Sequence, residues 1–255
     1  MGYYKAIIYG NALELYSYEK DIRPIASSKP RAQSRIVLPD LASDSEPTVQ
    51  REIKKRRDSV QRASMDFRRL VLANLGGSVS PLLLTLTYSA NQTDLGIAYK
   101  DFSSFGRNMR RQFGDGFRYI AVPEFQRRGA VHFHIIAWGL PSDVYTKERS
   151  TRLVASLWGK GFVDVIQTDG HEKISSYLTK YMAKSYSDKR LLYKKAYRCS
   201  RNIIRPLIEK DLGGTMYLSE MYGIGVDNPP CEDRSFGTQW LGKGRFRLYK
   251  IKHKN

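Results

Sequence analysis

Two histidines, His132 and His134, stand one residue apart in the apolar run from Val131 to Ile136. Side chains at positions i and i+2 of a strand project from the same face of a sheet, so both imidazoles could bind one metal ion. The chain has only four histidines in 255 residues, and half of them lie in this run. We therefore predict a metal site here. The alternative is a pair of hydrogen-bonded polar residues within a sheet.

Glu124 is the candidate third ligand. Residues 117–124 and 131–138 are predicted to form two strands joined by a turn at 126–130, which contains Gly129. In such a hairpin Glu124 faces His132, or His134 after a small change of register. Two imidazoles and one carboxylate leave coordination positions open, which is typical of a catalytic metal site. The set suits magnesium or manganese with phosphate oxygens completing the shell, and zinc is also compatible with it.

A second group of reactive side chains comprises Tyr177 and Tyr181 with Lys180 and Lys184. Residues four apart share one face of a helix, so the tyrosines form one stripe and the lysines form an adjacent one. A phenol with a pKa of about 10 is a poor nucleophile at neutral pH. A neighbouring ammonium or a metal-polarised phosphate would make its attack on a phosphodiester feasible. The spacing equally fits an ordinary core-facing stripe that begins at Ile174, so both interpretations stay open.

The elements that must position these residues alternate between strand and helix patterns. Strands are predicted at 82–88, 117–124, 131–138 and 162–166, and helices at 98–113, 146–157 and 171–186. This order predicts an α+β fold with an antiparallel central sheet and flanking helices, which we expect on one face. Phe102, Phe105, Met109 and Phe113 recur at helical spacing, which indicates core residues and not a base-stacking platform.

Extensions flank the predicted central domain. We divide the chain into an N-terminal extension with a basic helix (1–75), a central domain (76–190) and a C-terminal extension (191–255) that could pack on it. Residues 1–47 suggest no role, and the stretch from about 187 onward looks less regular. The segment from Gly237 to Gly244 resembles a phosphate-binding P-loop, but a glycine replaces the magnesium-binding Ser or Thr. We therefore reject an ATP-driven motor.

The overall charge indicates a polyanionic partner. The chain carries 43 Lys and Arg against 25 Asp and Glu, a formal net charge of +18. Proteins this basic most often bind nucleic acid. Two distant cysteines exclude a zinc ribbon or a disulfide scaffold, and no apolar run approaches the about 20 residues of a membrane span. No signal-peptide core is found at the N-terminus, so we expect a cytoplasmic protein without a membrane partner.

Taken together, these motifs resemble the HUH endonuclease superfamily, and within it the two-tyrosine rolling-circle replication initiators of phages and plasmids. The first family motif resembles the segment from Leu84 to Tyr88, and the second resembles Gly129 to His134. The third resembles the segment from Tyr177 to Lys184, so the likeness covers about residues 80–186. Phenylalanine stands between the histidines, where the family has a bulky apolar residue.

The resemblance implies a ferredoxin- or RRM-like sheet that carries the histidines, with the tyrosine helix beside it. It further implies nicking and rejoining of single-stranded DNA at an origin hairpin through a 5′-phosphotyrosine intermediate. The two tyrosines would be the nucleophiles, and the two histidines and Glu124 would hold the metal. The two lysines would contact the phosphate or lower the tyrosine pKa. A host helicase and a host polymerase are the implied protein partners.

Two other functions fit the same residues. A transposase or plasmid-mobilising relaxase of the same superfamily also carries paired tyrosines and would differ in supporting strand transfer. A non-catalytic basic nucleic-acid-binding protein would use His132 and His134 only structurally, and its binding would weaken steeply with salt.

Overall fold

The computed structural model describes residues 2, 4–20, 60–75, 80–140, 147–167, 174, 188–191, 197–225, 227–238 and 241–252. The chain divides into two compact units, one formed by 1–59 with 206–255 and the other by 60–205. Each unit contains a five-stranded antiparallel sheet, which confirms the predicted α+β class. The three-part division into 1–75, 76–190 and 191–255 remains a prediction from the sequence.

The described residues form ten strands and four α-helices. In chain order the elements are β1 (Tyr4–Tyr9), β2 (Ala12–Tyr18), α1 (described over 60–72), β3 (Leu82–Tyr88), α2 (Leu95–Phe113), β4 (Arg118–Phe125), β5 (Val131–Trp138), α3 (Lys147–Trp158), β6 (Gly161–Gln167), a 3-10 turn (Lys189–Leu191), β7 (Arg198–Cys199), β8 (Leu207–Glu209), α4 (Leu212–Met221), β9 (Glu232–Thr238) and β10 (Gly242–Lys250). The predicted strands and helices between 82 and 167 are confirmed to within a few residues at their ends. Apart from Ile174, the helix predicted at 171–186 lies outside the described residues.

The sheet of the 60–205 unit has the strand order β6-β3-β5-β4-β7. Helices cover both of its faces, which corrects our expectation of helices on one face. Phe133 and Ile135 of β5 pack in a core cluster with α2 and α3, whereas Ile136 and Trp138 pack with α1 and Ile174. The physical reason is the sequence of β5, which places apolar side chains on both faces of the sheet. Each face must therefore be covered to remove these side chains from water.

Helix α2 begins at Leu95, three residues before the predicted start, because Asp94 caps it. The Asp94 carboxylate accepts a hydrogen bond from the backbone N–H of Ile97 at 2.9 Å, which satisfies one of the free donors of the first turn. Phe102, Phe105 and Met109 are buried, as predicted for core residues. Among the described residues no helix combines the length and the apolar character needed to cross a membrane.

The second unit brings together strands from both ends of the chain, in the order β8-β1-β2-β10-β9. Helix α4 packs Leu218 against Ile8 and Leu13 of this sheet. No elements were predicted here from the sequence. Two hairpins, β1–β2 and β9–β10, are joined by pairings between distant segments, β1 with β8 and β2 with β10. Gly237 and Gly244 lie in the two strands of the β9–β10 hairpin, so the P-loop-like segment has strands and no helix at its described ends, in agreement with its rejection.

Candidate metal centre on the central sheet

Strands β4 and β5 bring His132, His134 and Glu124 to one face of the central sheet. The register places Glu124 directly opposite His132 and Val122 opposite His134, which is the first of the two registers considered from the sequence. The two imidazole centroids are 4.7 Å apart. The site therefore lies on the face that packs against α1 and Ile174, and Phe133 lies on the opposite face.

Glu124 and His134 are joined directly. Nε2 of His134 lies 2.8 Å from Oε2 of Glu124, and the exposed side-chain fractions are 7% for the histidine and 20% for the glutamate. A hydrogen bond at this depth is only weakly screened by water, so it holds both side chains in place. Glu124 thus lies opposite His132 in the strand register and is hydrogen-bonded to His134.

Thr87 orients the second imidazole, a role that sequence analysis missed. Its Oγ1 lies 3.0 Å from Nδ1 of His132, and Thr87 pairs with His132 across β3 and β5. With Nδ1 engaged, Nε2 is the ring nitrogen left to bind a ligand. The sequence did carry a signal for this role. Thr85 and Thr87 are the polar residues of a leucine-rich strand, and their spacing of two places them on one face of the sheet.

The charges around His132 act in opposite directions. Burial lowers its pKa, Glu124 raises it, and the Arg128 guanidinium lowers it again. The net shift is downward, so the imidazole is neutral at neutral pH and keeps a lone pair for coordination. Arg128 is fixed at the hairpin turn because its Nη2 donates to the carbonyl of Tyr88 at 2.6 Å.

Tyr88 is not a competing nucleophile. It is 4% exposed, and its hydroxyl donates to Asp101 at 3.1 Å. Burial and the neighbouring carboxylate raise its pKa well above the usual range, so a reactive phenolate does not form near neutral pH.

The donor types fit a divalent cation, but the present geometry is not yet that of a coordination shell. Across the described ranges, no three His, Cys, Asp or Glu side chains form a group that could hold a metal ion. Glu124 and His134 are bonded to each other, so this hydrogen bond would have to open before both could bind one ion. Two imidazoles and one carboxylate remain the donor set that magnesium, manganese or zinc would accept.

Tyr177, Tyr181, Lys180 and Lys184 lie outside the described residues. Their predicted roles therefore stay predictions. Ile174, three residues before the first tyrosine, is 2% exposed and packs with Val122 and Ile136 on the histidine face of the sheet.

One known protein family matches the part of the chain that contains the candidate metal ligands. Residues 81–186 match the family model described as replication-associated protein ORF2/G2P. The match covers less than half of the chain but includes all three motifs and the whole histidine hairpin. It supports a replication initiator family, and with it a DNA-binding role. No curated protein and no solved structure matches the chain.

Proposed function

We propose that this chain is a rolling-circle replication initiator that nicks and rejoins single-stranded DNA at an origin through a 5′-phosphotyrosine intermediate, in a metal-dependent reaction. The observation that carries the proposal is the gathering of His132, His134 and Glu124 on one sheet face, inside the segment that matches the replication-associated family. The net charge of +18 agrees with a DNA substrate.

In this proposal the three side chains hold a divalent cation, magnesium or manganese, with zinc as a compatible third choice. His132 would offer Nε2, since Thr87 engages Nδ1. Glu124 and His134 would exchange their mutual hydrogen bond for coordination. When bound, the ion supplies positive charge that orients the scissile phosphate and stabilises the charge on its oxygens.

Tyr177 and Tyr181 are the proposed nucleophiles. The phenol oxygen of one tyrosine bonds to the scissile phosphorus and gives up its proton to solvent, while the bond to the 3′ oxygen breaks. That oxygen takes up a proton and leaves as a free 3′-OH, which a host polymerase extends with the aid of a helicase. Attack of a 3′-OH on the phosphotyrosine reverses the step and rejoins the strand. Lys180 and Lys184 contact the phosphate or lower the tyrosine pKa.

The burial of Ile174 on the histidine face supports this arrangement, because Ile174 stands only three residues before Tyr177 in the sequence. Two tyrosines allow one to open the parental origin and the other to act on the regenerated origin. One protein could then begin and end a round of replication.

The test is formation of a covalent protein–DNA adduct. Single-stranded oligonucleotides tiled across the replicon that encodes the chain are incubated with manganese and resolved under denaturing conditions. We expect an adduct with the wild type and none with the double variant Tyr177→Phe/Tyr181→Phe. Tyr217→Phe is the matched control, because this tyrosine is 65% exposed on α4 in the other unit.

An adduct with the double tyrosine variant would show that the nucleophile lies elsewhere. An adduct that persists in a chelator, or in His132→Ala/His134→Ala, would remove the metal from the mechanism. Strand transfer between ends of a mobile element would indicate the transposase or relaxase alternative. Binding without cleavage under any divalent cation would indicate a non-catalytic binding protein.

A further inference from the structure

A basic groove, which we call the α2 groove, runs along the outer face of α2. Its volume is about 460 Å³, and the side chains that matter for its chemistry are Tyr99, Lys100, Ser103, Ser104, Arg107 and Arg198. The groove lies on the side of the central sheet that carries Phe133, so it is on the opposite face from the histidines. None of the three candidate metal ligands lines it.

The groove follows from the two-faced pattern of α2. Phe102, Phe105 and Met109 point into the core, so the residues between them face outward. Ser103 and Ser104 are small, and their hydroxyls donate back to the carbonyls of the preceding turn at 2.7 and 3.2 Å. The two small serine side chains therefore form the base of the groove, and the longer side chains of Lys100 and Arg107 lie along its edges.

In the part of the chain that the structure describes, the three cations around the groove have no acidic partner. Lys100 and Arg107 are exposed, and neither forms an ion pair in the described part of the chain. Arg107 donates from Nη2 to Oγ of Ser104 at 2.8 Å. By contrast, Arg110 on the same helix is paired with Asp115 at 2.6 Å. Among the described residues that line the groove, none is acidic.

Arg198 closes the groove from the sheet side. It lies on edge strand β7, opposite Ala121 of β4, and its guanidinium carbon lies 3.9 Å from the centre of the Tyr99 ring. This stacking fixes a long, flexible side chain before any ligand arrives, which lowers the entropy cost of binding. It also covers one face of the Tyr99 ring, so that face cannot stack on a base.

We propose that the α2 groove binds the sugar–phosphate backbone of single-stranded DNA, independently of base sequence. Lysine and arginine side chains are the usual partners of backbone phosphates. From Lys100 to Arg107 the helix advances about 10 Å, which is long enough to face more than one phosphate of a strand. The choice of DNA as the polyanion rests on the proposed function, whereas the affinity for phosphate groups rests on the groove alone.

The experiment measures binding without cleavage. A labelled single-stranded oligonucleotide is titrated with the full chain in a chelator at several chloride concentrations, for the wild type and for Lys100→Ala/Arg107→Ala. The matched control is Arg149→Ala/Arg152→Ala, which removes the same charge from exposed residues of α3 in the same unit. Lys100→Arg/Arg107→Lys keeps the charge and should keep the affinity.

We expect the groove variant to bind more weakly and to reduce the slope of log affinity against log salt by about 1.4, since each lost phosphate contact on a single strand contributes about 0.7. The control should keep most of the wild-type slope. Equal losses in the two variants would overturn the proposal, because they would reflect the general field of a basic protein. An unchanged slope in the groove variant would also overturn it.

Inorganic phosphate distinguishes a site for a free anion from a site for a polymer. At constant ionic strength, replacement of chloride by phosphate should leave oligonucleotide binding nearly unchanged. If the groove variant lost the binding of inorganic phosphate but kept the oligonucleotide affinity of the wild type, the groove would be assigned to a free phosphate and the DNA assignment would be overturned. Ser103→Asp, which places a negative charge at the base of the groove, gives an independent variant with the same expected loss. Because no cleavage occurs in a chelator, these results stand whether or not the adduct experiment succeeds.

Discussion

At the scale of single residues, the histidine pair on β5 depends on neighbours from two other strands, β3 and β4. Glu124 lies opposite His132 and is bonded to His134, and Thr87 holds the remaining ring through Nδ1. Second partners of this kind set the tautomer and direction of an imidazole before a metal binds. The hydroxyl of Thr87 should therefore contribute to metal affinity although it does not itself bind the metal.

Thr87→Val should weaken manganese binding by about 10- to 100-fold, because it removes the hydrogen bond to His132 while keeping the side-chain shape. Isothermal titration with manganese measures the affinity, and adduct formation should slow in parallel at limiting metal. Thr85→Val is the matched control, since Thr85 lies on the same strand opposite His134. If both variants bind manganese as the wild type does, Thr87 does not orient the ligand.

At the scale of elements, helices cover both faces of the central sheet. One of these helices, α2, contributes both to the core and to an exposed groove. Its inner face contributes Phe102, whose ring stacks on Phe133 with centroids 4.7 Å apart. Phe133 is the residue between the two histidines, so the packing of α2 fixes the strand that carries them. The outer face of the same helix forms the α2 groove.

Phe102→Ala should lower the free energy of unfolding by about 3–5 kcal/mol, through lost burial and the cavity that remains. Chemical denaturation followed by circular dichroism measures the change. Phe162→Ala is the control, because Phe162 is 69% exposed on β6 and its removal should change stability by less than about 0.5 kcal/mol. Similar losses in the two variants would contradict the core position of Phe102.

The end of β5 is set by a close backbone approach at Gly139. Its φ is +74°, and a Cβ there would overlap the carbonyl oxygen of Gly116. Gly114 has a similar φ of +77° but no atom within 4 Å of such a Cβ. Both Gly→Ala changes should cost stability through backbone strain, and Gly139→Ala should cost about 1–3 kcal/mol more because of the overlap. Equal midpoints in thermal unfolding would show that the strand end can shift without cost.

At the scale of the whole molecule, two units with separate cores share one strongly basic chain. The chain has only four histidines, and the formal charge of +18 comes from the excess of lysine and arginine over aspartate and glutamate. Binding of DNA and chemistry on DNA should therefore be separable. The first depends on many phosphate contacts and the second on a few positioned side chains.

His132→Ala/His134→Ala should accordingly abolish adduct formation but leave the affinity for single-stranded DNA within about twofold and its steep salt dependence unchanged. Fluorescence anisotropy in chelator at several salt concentrations measures the binding. A flattened salt dependence would mean that the histidine hairpin itself contacts the backbone through charge.

Much of the candidate site could be predicted from the sequence, because its parts are close together in the chain. Alternation placed His132 and His134 on one face, and the short turn at Gly129 brought Glu124 opposite them. Helical spacing identified the core residues of α2 for the same reason. Each of these patterns depends on a few adjacent residues.

Only the tertiary structure decided the features that join distant segments. Thr87 meets His132 across 45 residues, and Arg198 reaches Tyr99 from an edge strand of two residues. The second sheet pairs β2 with β10, from opposite ends of the chain. Sequence periodicity reports which face of its own element a side chain occupies, but not which other element covers that face. Such contacts are selected by the packing of the whole unit, and they gave this protein an oriented imidazole on one face of its sheet and a basic groove on the other.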